Sequence, residues 1–282
     1  MDITPIQFNH YAHYLKPRPR DWHKGLSGHV CIVGGDLGFS GAPRMAAEAA
    51  LRVGAGLVTI ATRPEHAAIM NANCPEIMVH GITEVDALAK LIEKTNVVVL
   101  GPGLGQSDWS WSMWNYVYGL KKQLSLVIDA DGLNLLAQKK NVLTKKISEH
   151  WVLTPHPAEA ARLLQQNTLD IQTDRLRAIT TLQKKYGGVC VLKGAGSLVL
   201  APQTSLMICE QGNPGMATAG MGDVLSGVIG GLIAQGIPLA DATALGVCVH
   251  AIAGDRAAKA GGERGLIATD LMPHLRAVVN PT

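Results

Sequence analysis

Aromatic side chains are scarce in this sequence: they make up 4 % of its 282 residues, with two phenylalanines in all. A stacking platform for single-stranded nucleic acid has little to build on here. Charge points the same way. Charged residues reach only 17 %, and the formal net charge of +3 is scattered along the chain, which excludes nucleic acid as an expected partner. The five cysteines, Cys31, Cys74, Cys190, Cys209 and Cys248, form no CxxC and have no histidine-rich partner spacing. Four lie in apolar runs and Cys74 in a loop, the distribution expected of reduced, buried thiols in a cytoplasmic protein. The opening Met1-Asp2-Ile3-Thr4-Pro5 has no basic head leading into an apolar core, so no secretory signal is read there. No uncharged run of about 18 apolar residues reads as a membrane span. The nearest, Val224 to Ala240, is broken by small residues, Gln235 and Pro238, and reads as a buried helix. There is no GxxxxGK[ST] phosphate loop, no internal repeat and no linker.

What is abundant is hydrophobic residues, at 47 %, and glycine, with 31 residues. Short apolar runs recur: His29–Val33, Leu57–Ala61, Val97–Leu100, Leu124–Ile128, Trp151–Leu153 and Val189–Leu192. Helical stretches such as Ala42–Gly54 alternate with them. Continuous apolar strands alternating with helices predict a parallel sheet covered on both faces. Most of these runs end, on the carboxyl side, in glycine, aspartate, histidine or lysine, and that edge is where open α/β sheets bind ligands. Leu198–Ala201 and Leu206–Cys209, joined through Pro202-Gln203-Thr204, predict an antiparallel hairpin appended to the sheet. Terminal helices are expected over Asp241–Ala260 and Thr269–Val279. Residues 1–26, polar and bearing Pro17 and Pro19, read as an extended arm, and residues 27–282 as one domain.

The strongest chemical signal is Asn213-Pro214-Gly215-Met216-Ala217-Thr218-Ala219-Gly220-Met221-Gly222-Asp223, followed by an apolar small-residue helix. Bare backbone N–H groups and a helix N-terminus form an anion site suited to phosphate. Asp223 beside it is either a helix cap or a base that takes the proton of a hydroxyl attacking the phosphate. Lys193-Gly194-Ala195-Gly196-Ser197 follows a strand and reads either as a nucleotide-holding loop or as a hairpin turn with a solvated lysine. Asp129-Ala130-Asp131-Gly132 offers two carboxylates for Mg2+ through water, for substrate, or for a turn. His156, between Pro155 and Pro157, has a restricted backbone that fixes the ring's direction. Glu159 reads as a first-turn helix carboxylate. Gly34-Gly35-Asp36 and Gly101-Pro102-Gly103-Leu104-Gly105 read as close-approach loops. Trp109, Trp111 and Trp114, with Tyr116 and Tyr118, read as a packing face or a subunit contact in preference to a base-stacking surface.

Taken in order, these segments resemble the ADP-dependent NAD(P)H-hydrate dehydratases of the ribokinase-like superfamily. The resemblance runs from about Gly28 to Ala277. It is carried by Gly41-Ala42 with Ala46 to Gly56, Gly101 to Gly105, Asp129 to Asn134, Thr154 to Glu159, Lys193 to Gly196, and Asn213 to Asp223. It implies a ribokinase-like three-layer α/β/α sandwich with a mostly parallel sheet. It also implies repair chemistry by a lyase: phosphorylation of the 6-hydroxyl of (S)-NADH or (S)-NADPH hydrate from ADP, then loss of phosphate, giving AMP and the reduced cofactor. By the same resemblance Ala42, Gly105, His156 and Asp223 touch the hydrated dinucleotide. Lys193, Gly194, Ala195, Gly196, Ser197 and Gly222 hold the adenine nucleotide. Gly220, Met221 and Gly222 form the anion hole, Asp223 is the catalytic base, and Mg2+ screens the phosphates without an assigned protein ligand. A homo-oligomer, taken as a tetramer, is expected. Some relatives carry an upstream epimerase domain; the 26 residues before the first apolar run are too few for one, so the expectation is a separate epimerase unless the chain is part of a longer protein. The rival reading is a small-molecule kinase of the same superfamily, which leaves its phosphate on an alcohol.

Overall fold

In the computed structural model, residues 3–120, 124–139 and 149–281 are described. They build one ten-stranded sheet in the order β1-β10-β9-β8-β7-β6-β5-β2-β3-β4. The strands are β1 (Ile3–Pro5), β2 (His29–Val33), β3 (Leu57–Thr62), β4 (Met78–Gly81), β5 (Val97–Leu100), β6 (Ser125–Ile128), β7 (Trp151–Leu153), β8 (Val189–Leu192), β9 (Ser197–Leu200) and β10 (Leu206–Cys209). The run from β4 to β8 is parallel throughout, and β9 is antiparallel to both β8 and β10. This is the parallel sheet with an appended hairpin that the apolar runs predicted.

Alternation along each strand sorts the helices into two layers. Val30, Ile32, Val97 and Val99 point into a core shared with α2 (Gly41–Arg52), α10 (Met221–Ala234), α11 (Leu239–Gly261) and α12 (Leu271–Val278). Cys31, Val33, Val98 and Leu100 point to the opposite core. That core is closed by α4 (Val85–Ile92), α5 (Asp108–Tyr118), α6 (Ala130–Gln138), α7 (Pro157–Leu164), α8 (Thr168–Thr173) and α9 (Arg175–Tyr186). Two short helices complete the set: α1 (Phe8–Tyr11), whose Phe8 and Tyr11 pack against the first of these cores, and α3 (Pro64–Ala67), beside β4. Strands buried on both faces have no polar side to show, which is why their sequence is continuous apolar rather than alternating. Among the described residues no helix is long and apolar enough to cross a membrane. All five cysteines are buried and free.

Two expectations need correction. Residues 1–26 are not simply an extended arm. Ile3–Pro5 adds a strand parallel to β10, Ile6 is buried in the core, and Tyr14 donates its hydroxyl to Asp241 at the start of α11. A three-residue strand containing proline is tolerated because it lies at the sheet edge. The terminal helix starts later than expected: Ala268–Asp270 is a 3-10 turn and α12 begins at Leu271. The aromatic cluster is a packing face. Trp114 is fully buried, stacks on Tyr118 at 4.6 Å, and donates its indole N–H to the Gly132 carbonyl.

Candidate active site

The chain runs β2, β3, β4 to one side and then returns to place β5 on the other side of β2. Ligands of open α/β sheets bind at such a reversal. The loops after β2 and β5 meet there: Gly35 N–H and Asp36 N–H both donate to the Gly103 carbonyl, at 2.9 and 2.7 Å. Asp36 is buried and paired with Arg63 from the end of β3 at 2.7 Å. Burial works to raise the Asp36 pKa, but hydrogen bonds from Ser107, Arg63 and Leu37 N–H hold it below its usual value. Gly103 has φ +57°, and a Cβ on it would meet the Phe39 carbonyl at 2.4 Å and Ala42 Cβ at 3.2 Å, so glycine is required for the loops to close. Ala42 and Gly105 both lie in this region.

The larger opening is a cavity of about 820 Å3 at the carboxyl ends of β6 to β8 and beside the hairpin. His156, Lys193, Gly194, Ala195, Gly196, Ser197, Met221, Gly222 and Asp223 line it, with Asp129 and Glu159. Ala42, Gly105 and Gly220 do not. The structure therefore divides the expected residues into two neighbouring groups. The groups adjoin through their neighbours: Gly105 N–H donates at 2.9 Å to Asp131, two residues from the lining Asp129, and Gly220, next to the lining Met221, packs against Met45 of α2, the helix that carries Ala42.

Asp223 is not a cap. The N-cap of α10 is Gly220, in the left-handed region at φ 88°, and Asp223 lies in the first turn. The helix's own ladder begins with Val224 N–H to the Gly220 carbonyl at 3.0 Å, so the N–H groups of Met221, Gly222 and Asp223 precede it and are free of helical partners. Burial pushes the Asp223 carboxyl up to about 7; the negative charges of Asp129, Glu159 and Asp131 add to this, and Lys193 opposes it.

Lys193 is 17 % exposed and bound to Asp129 at 2.7 Å, with Glu159 at 3.7 Å. Burial works against its charge, but Asp129, Glu159 and Asp223 keep its pKa above the usual lysine value. The lysine is charged, lines the cavity and is held against Asp129 rather than extended into solvent. Asp129 and Asp131 serve different ends: Asp129 is buried on Lys193, while Asp131 accepts from Gly105 N–H and the Asn134 amide. Glu159 is the first-turn carboxylate expected, accepting from His156 N–H at 2.7 Å. It also faces Lys193, a second role the linear sequence hides.

His156 caps α7. Its Nδ1 accepts from Ala158 and Glu159 N–H at 3.1 and 3.3 Å, which leaves Nε2 as the protonated nitrogen of the neutral ring. Burial, with Lys193 and Arg162, lowers its pKa against the pull of Asp129. The Lys193–Ser197 loop is clamped from behind by Arg175 of α9, which donates to the carbonyls of Leu192 and Ala195. Arg175 and His250, both missed by the sequence reading, lie far along the chain from the loops they serve; each carries a buried nitrogen without a partner among the described residues.

A family model described as NAD(P)H-hydrate dehydratase matches residues 30–276. A bifunctional NAD(P)H-hydrate repair enzyme of Coxiella burnetii is 55 % identical over 267 residues, 95 % of this chain and 53 % of that protein. This chain spans about half the length of such bifunctional relatives. An ADP-dependent (S)-NAD(P)H-hydrate dehydratase of Neisseria meningitidis is 38 % identical, covering 96 % of this chain and 91 % of that one. The crystal structure of a ribokinase-like superfamily protein from Enterococcus faecalis superposes with a TM-score of 0.90 at 31 % identity, over 99 % of this chain and 97 % of that one. The α/β sandwich, its parallel sheet with hairpin, and the match along nearly the whole sequence agree: the chain belongs to the NAD(P)H-hydrate dehydratase family, on a ribokinase-like fold.

Proposed function

We propose that this chain restores hydrated NADH and NADPH by ADP-dependent dehydration of the S epimer. The observation that carries the reading is Asp223: a carboxyl held at about 7, in the first turn of a helix whose N–H groups are unspent, facing a cavity that Lys193, paired with Asp129, also lines. A base of that pKa is matched to work near neutral pH.

In this reading the hydrated nicotinamide lies over the Ala42 and Gly105 loops and reaches His156 and Asp223, while ADP occupies the Lys193–Ser197 loop. Asp223 takes the proton of the 6-hydroxyl, whose oxygen forms a bond to the β-phosphorus of ADP. The bond from that phosphorus to the bridging oxygen breaks, and AMP leaves. The N–H groups of the Gly220–Gly222 turn stabilise the charge on the transferring group, each worth on the order of 3 kcal/mol in comparable sites. Phosphate is a far better leaving group than hydroxide. The C6–O bond then breaks with loss of the C5 proton, and the 5,6 double bond of the reduced ring returns.

Magnesium is the expected companion of a phosphoryl donor. Among the described residues no three His, Cys, Asp or Glu side chains converge as metal ligands. The nearest carboxylates are engaged, Asp129 by Lys193 and Asp131 by Gly105 and Asn134. These residues do not fit a resident metal cage, so we assign Mg2+ to the phosphates of the co-substrate and derive no step through it. The free buried cysteines support a cytoplasmic enzyme. We read it as a homo-oligomer working with an NAD(P)H-hydrate epimerase, fused or separate.

The test is spectrophotometric. Protein, NADH hydrate, Mg2+ and ADP should restore reduced-nicotinamide absorbance with AMP and phosphate formed in equal amounts. A stable phosphorylated product, or no recovery from folded protein that binds ADP, would overturn the dehydratase reading and favour the kinase.

A further inference from the structure

The chemistry above rests on the Lys193–Ser197 loop, and one charged side chain that holds this loop has no part in that chemistry. Arg175 is the first residue of α9, where a cation opposes the helix dipole. Burial lowers its pKa, yet a guanidinium keeps its proton in proteins. It forms no ion pair among the described residues, and its buried Nε has no partner there. Each of these is a cost. What the side chain gains is two backbone carbonyls: Nη2 donates to Leu192, the last residue of β8, at 3.1 Å, and Nη1 donates to Ala195 in the middle of the loop. The approach is close. Gly194 has φ +144°, and a Cβ there would meet Nη2 at 3.2 Å, so the loop seats on the guanidinium best with glycine at 194.

The geometry of the peptide unit says what this seat does. Gly194, Ala195, Gly196 and Ser197 line the cavity, and Arg175 does not. The C=O and N–H of a planar trans peptide point in opposite directions. The Ala195 carbonyl is turned to Arg175, so the Gly196 N–H of the same unit points away from it. That N–H donates to no partner among the described residues, and Gly196 is half-buried on the cavity wall. Resting on the reading of this loop as the ADP site, we propose that Arg175 is a positioning residue. Its fork on the Leu192 and Ala195 carbonyls fixes the loop and keeps the Gly196 N–H presented to the nucleotide, with no contact to ADP itself. Binding then does not have to order the loop, a cost that pre-organisation removes.

The experiment measures ADP binding by calorimetry, and the kinetics of NADH-hydrate dehydration, for the wild-type chain, Arg175→Lys and Arg175→Ala. Lysine keeps the charge but is a point donor that does not span two carbonyls as the guanidinium fork does. Arg175→Ala should weaken ADP binding roughly ten-fold and raise the KM for ADP alike. At saturating ADP, kcat and the KM for NADH hydrate should stay within about two-fold of wild type, the pattern of lost ground-state binding. Arg175→Lys should lie closer to Arg175→Ala than to wild type. Full recovery by lysine would show that charge alone suffices and overturns the proposal. So does a loss shared equally by ADP and NADH hydrate, which a merely structural role would give. One further measurement needs no variant: ADP should slow hydrogen exchange of the Gly196 amide in the wild-type chain, as read by NMR. Unchanged exchange in protein saturated with ADP overturns the proposal even if both variants fail to fold. Wild type that binds no ADP overturns the nucleotide reading and this assignment together.

Discussion

On one face of the sheet α10 and α11 pack through glycine and alanine; on the other, Trp109, Met113 and Trp114 of α5 share a core with Trp151 and Tyr186. The contacts differ in kind. A Cβ on Gly227 would lie 2.0 Å from the Ala46 carbonyl oxygen, and one on Gly231 would lie 2.7 Å from that of Ala50. There α10 touches α2 backbone to backbone. Large side chains fill the other layer, where neighbours can change rotamer when one of them is altered. Backbone contact has no such slack. The face without slack carries Gly220, Gly222 and Asp223, so the groups read as transferring phosphate ride on the part of the molecule least able to shift. Reacting groups need placement within a fraction of an ångström.

The sharpest test of this separation is Asp223→Asn. Turnover should fall on the order of 10^2–10^4-fold, the span of a lost general base, with nucleotide binding and fold retained, as read by steady-state kinetics and calorimetry. Its pH dependence follows from the raised carboxyl. In wild type kcat/KM should rise with pH through about 7 and then level as Asp223 loses its proton. Stability runs the opposite way. The folded state holds a proton that the unfolded carboxyl releases near pH 4. That contribution is complete below about pH 4 and is lost as pH rises through about 7. The Asn variant should therefore gain stability relative to wild type between pH 4 and 8 in denaturant titrations. A flat difference would deny Asp223 its raised pKa.

Gly227→Ala comes next, at about 3 kcal/mol or more, because the new methyl meets backbone rather than a movable side chain. Urea unfolding would measure it, and a cost under about 1 kcal/mol would break the comparison between the two faces. Trp114→Phe should cost about 1–3 kcal/mol, through lost volume and the bond to Gly132, with kcat unchanged; a fall in kcat would show that the aromatic face also positions the site. Arg52→Ala should be the smallest. Arg52 is 41 % exposed and pairs with Glu48 one turn back on the outer side of α2, a contact worth about 0.3–0.5 kcal/mol.

Much of this was legible in the chain. Runs such as Val97–Leu100 and Val189–Leu192 announce buried parallel strands because both faces are covered, and the polar residues that follow them mark the edge where the cavity opens. What escaped has a physical pattern. β4, Met78–Gly81, is a largely exposed edge strand and lacks the apolar run. Asp129 and Lys193 look like independent site residues until the sheet sets β6 near β8 and joins them. Asp36 and Arg63 pair for the same reason, from adjacent strands. His250 left one trace, a lone imidazole within Val247-Cys248-Val249-His250-Ala251, but an apolar helix does not say which of its faces meets a cavity. Pairings across a sheet are properties of topology, and a linear pattern does not report them even where both partners follow strands, as Asp129, Lys193, Asp36 and Arg63 do.

The edge pairing of Ile3 with Leu206 has a consequence for synthesis. At about 5–20 residues per second, the ribosome makes the first strand roughly 10–40 s before the strand it must lie beside. During that interval Ile3–Pro5 has no β10 to pair with, while the β2–β8 units already possess their own neighbours. A strand made long before its partner is therefore among the last of the ten to find its place, and until then β10's outer edge, once made, stands open.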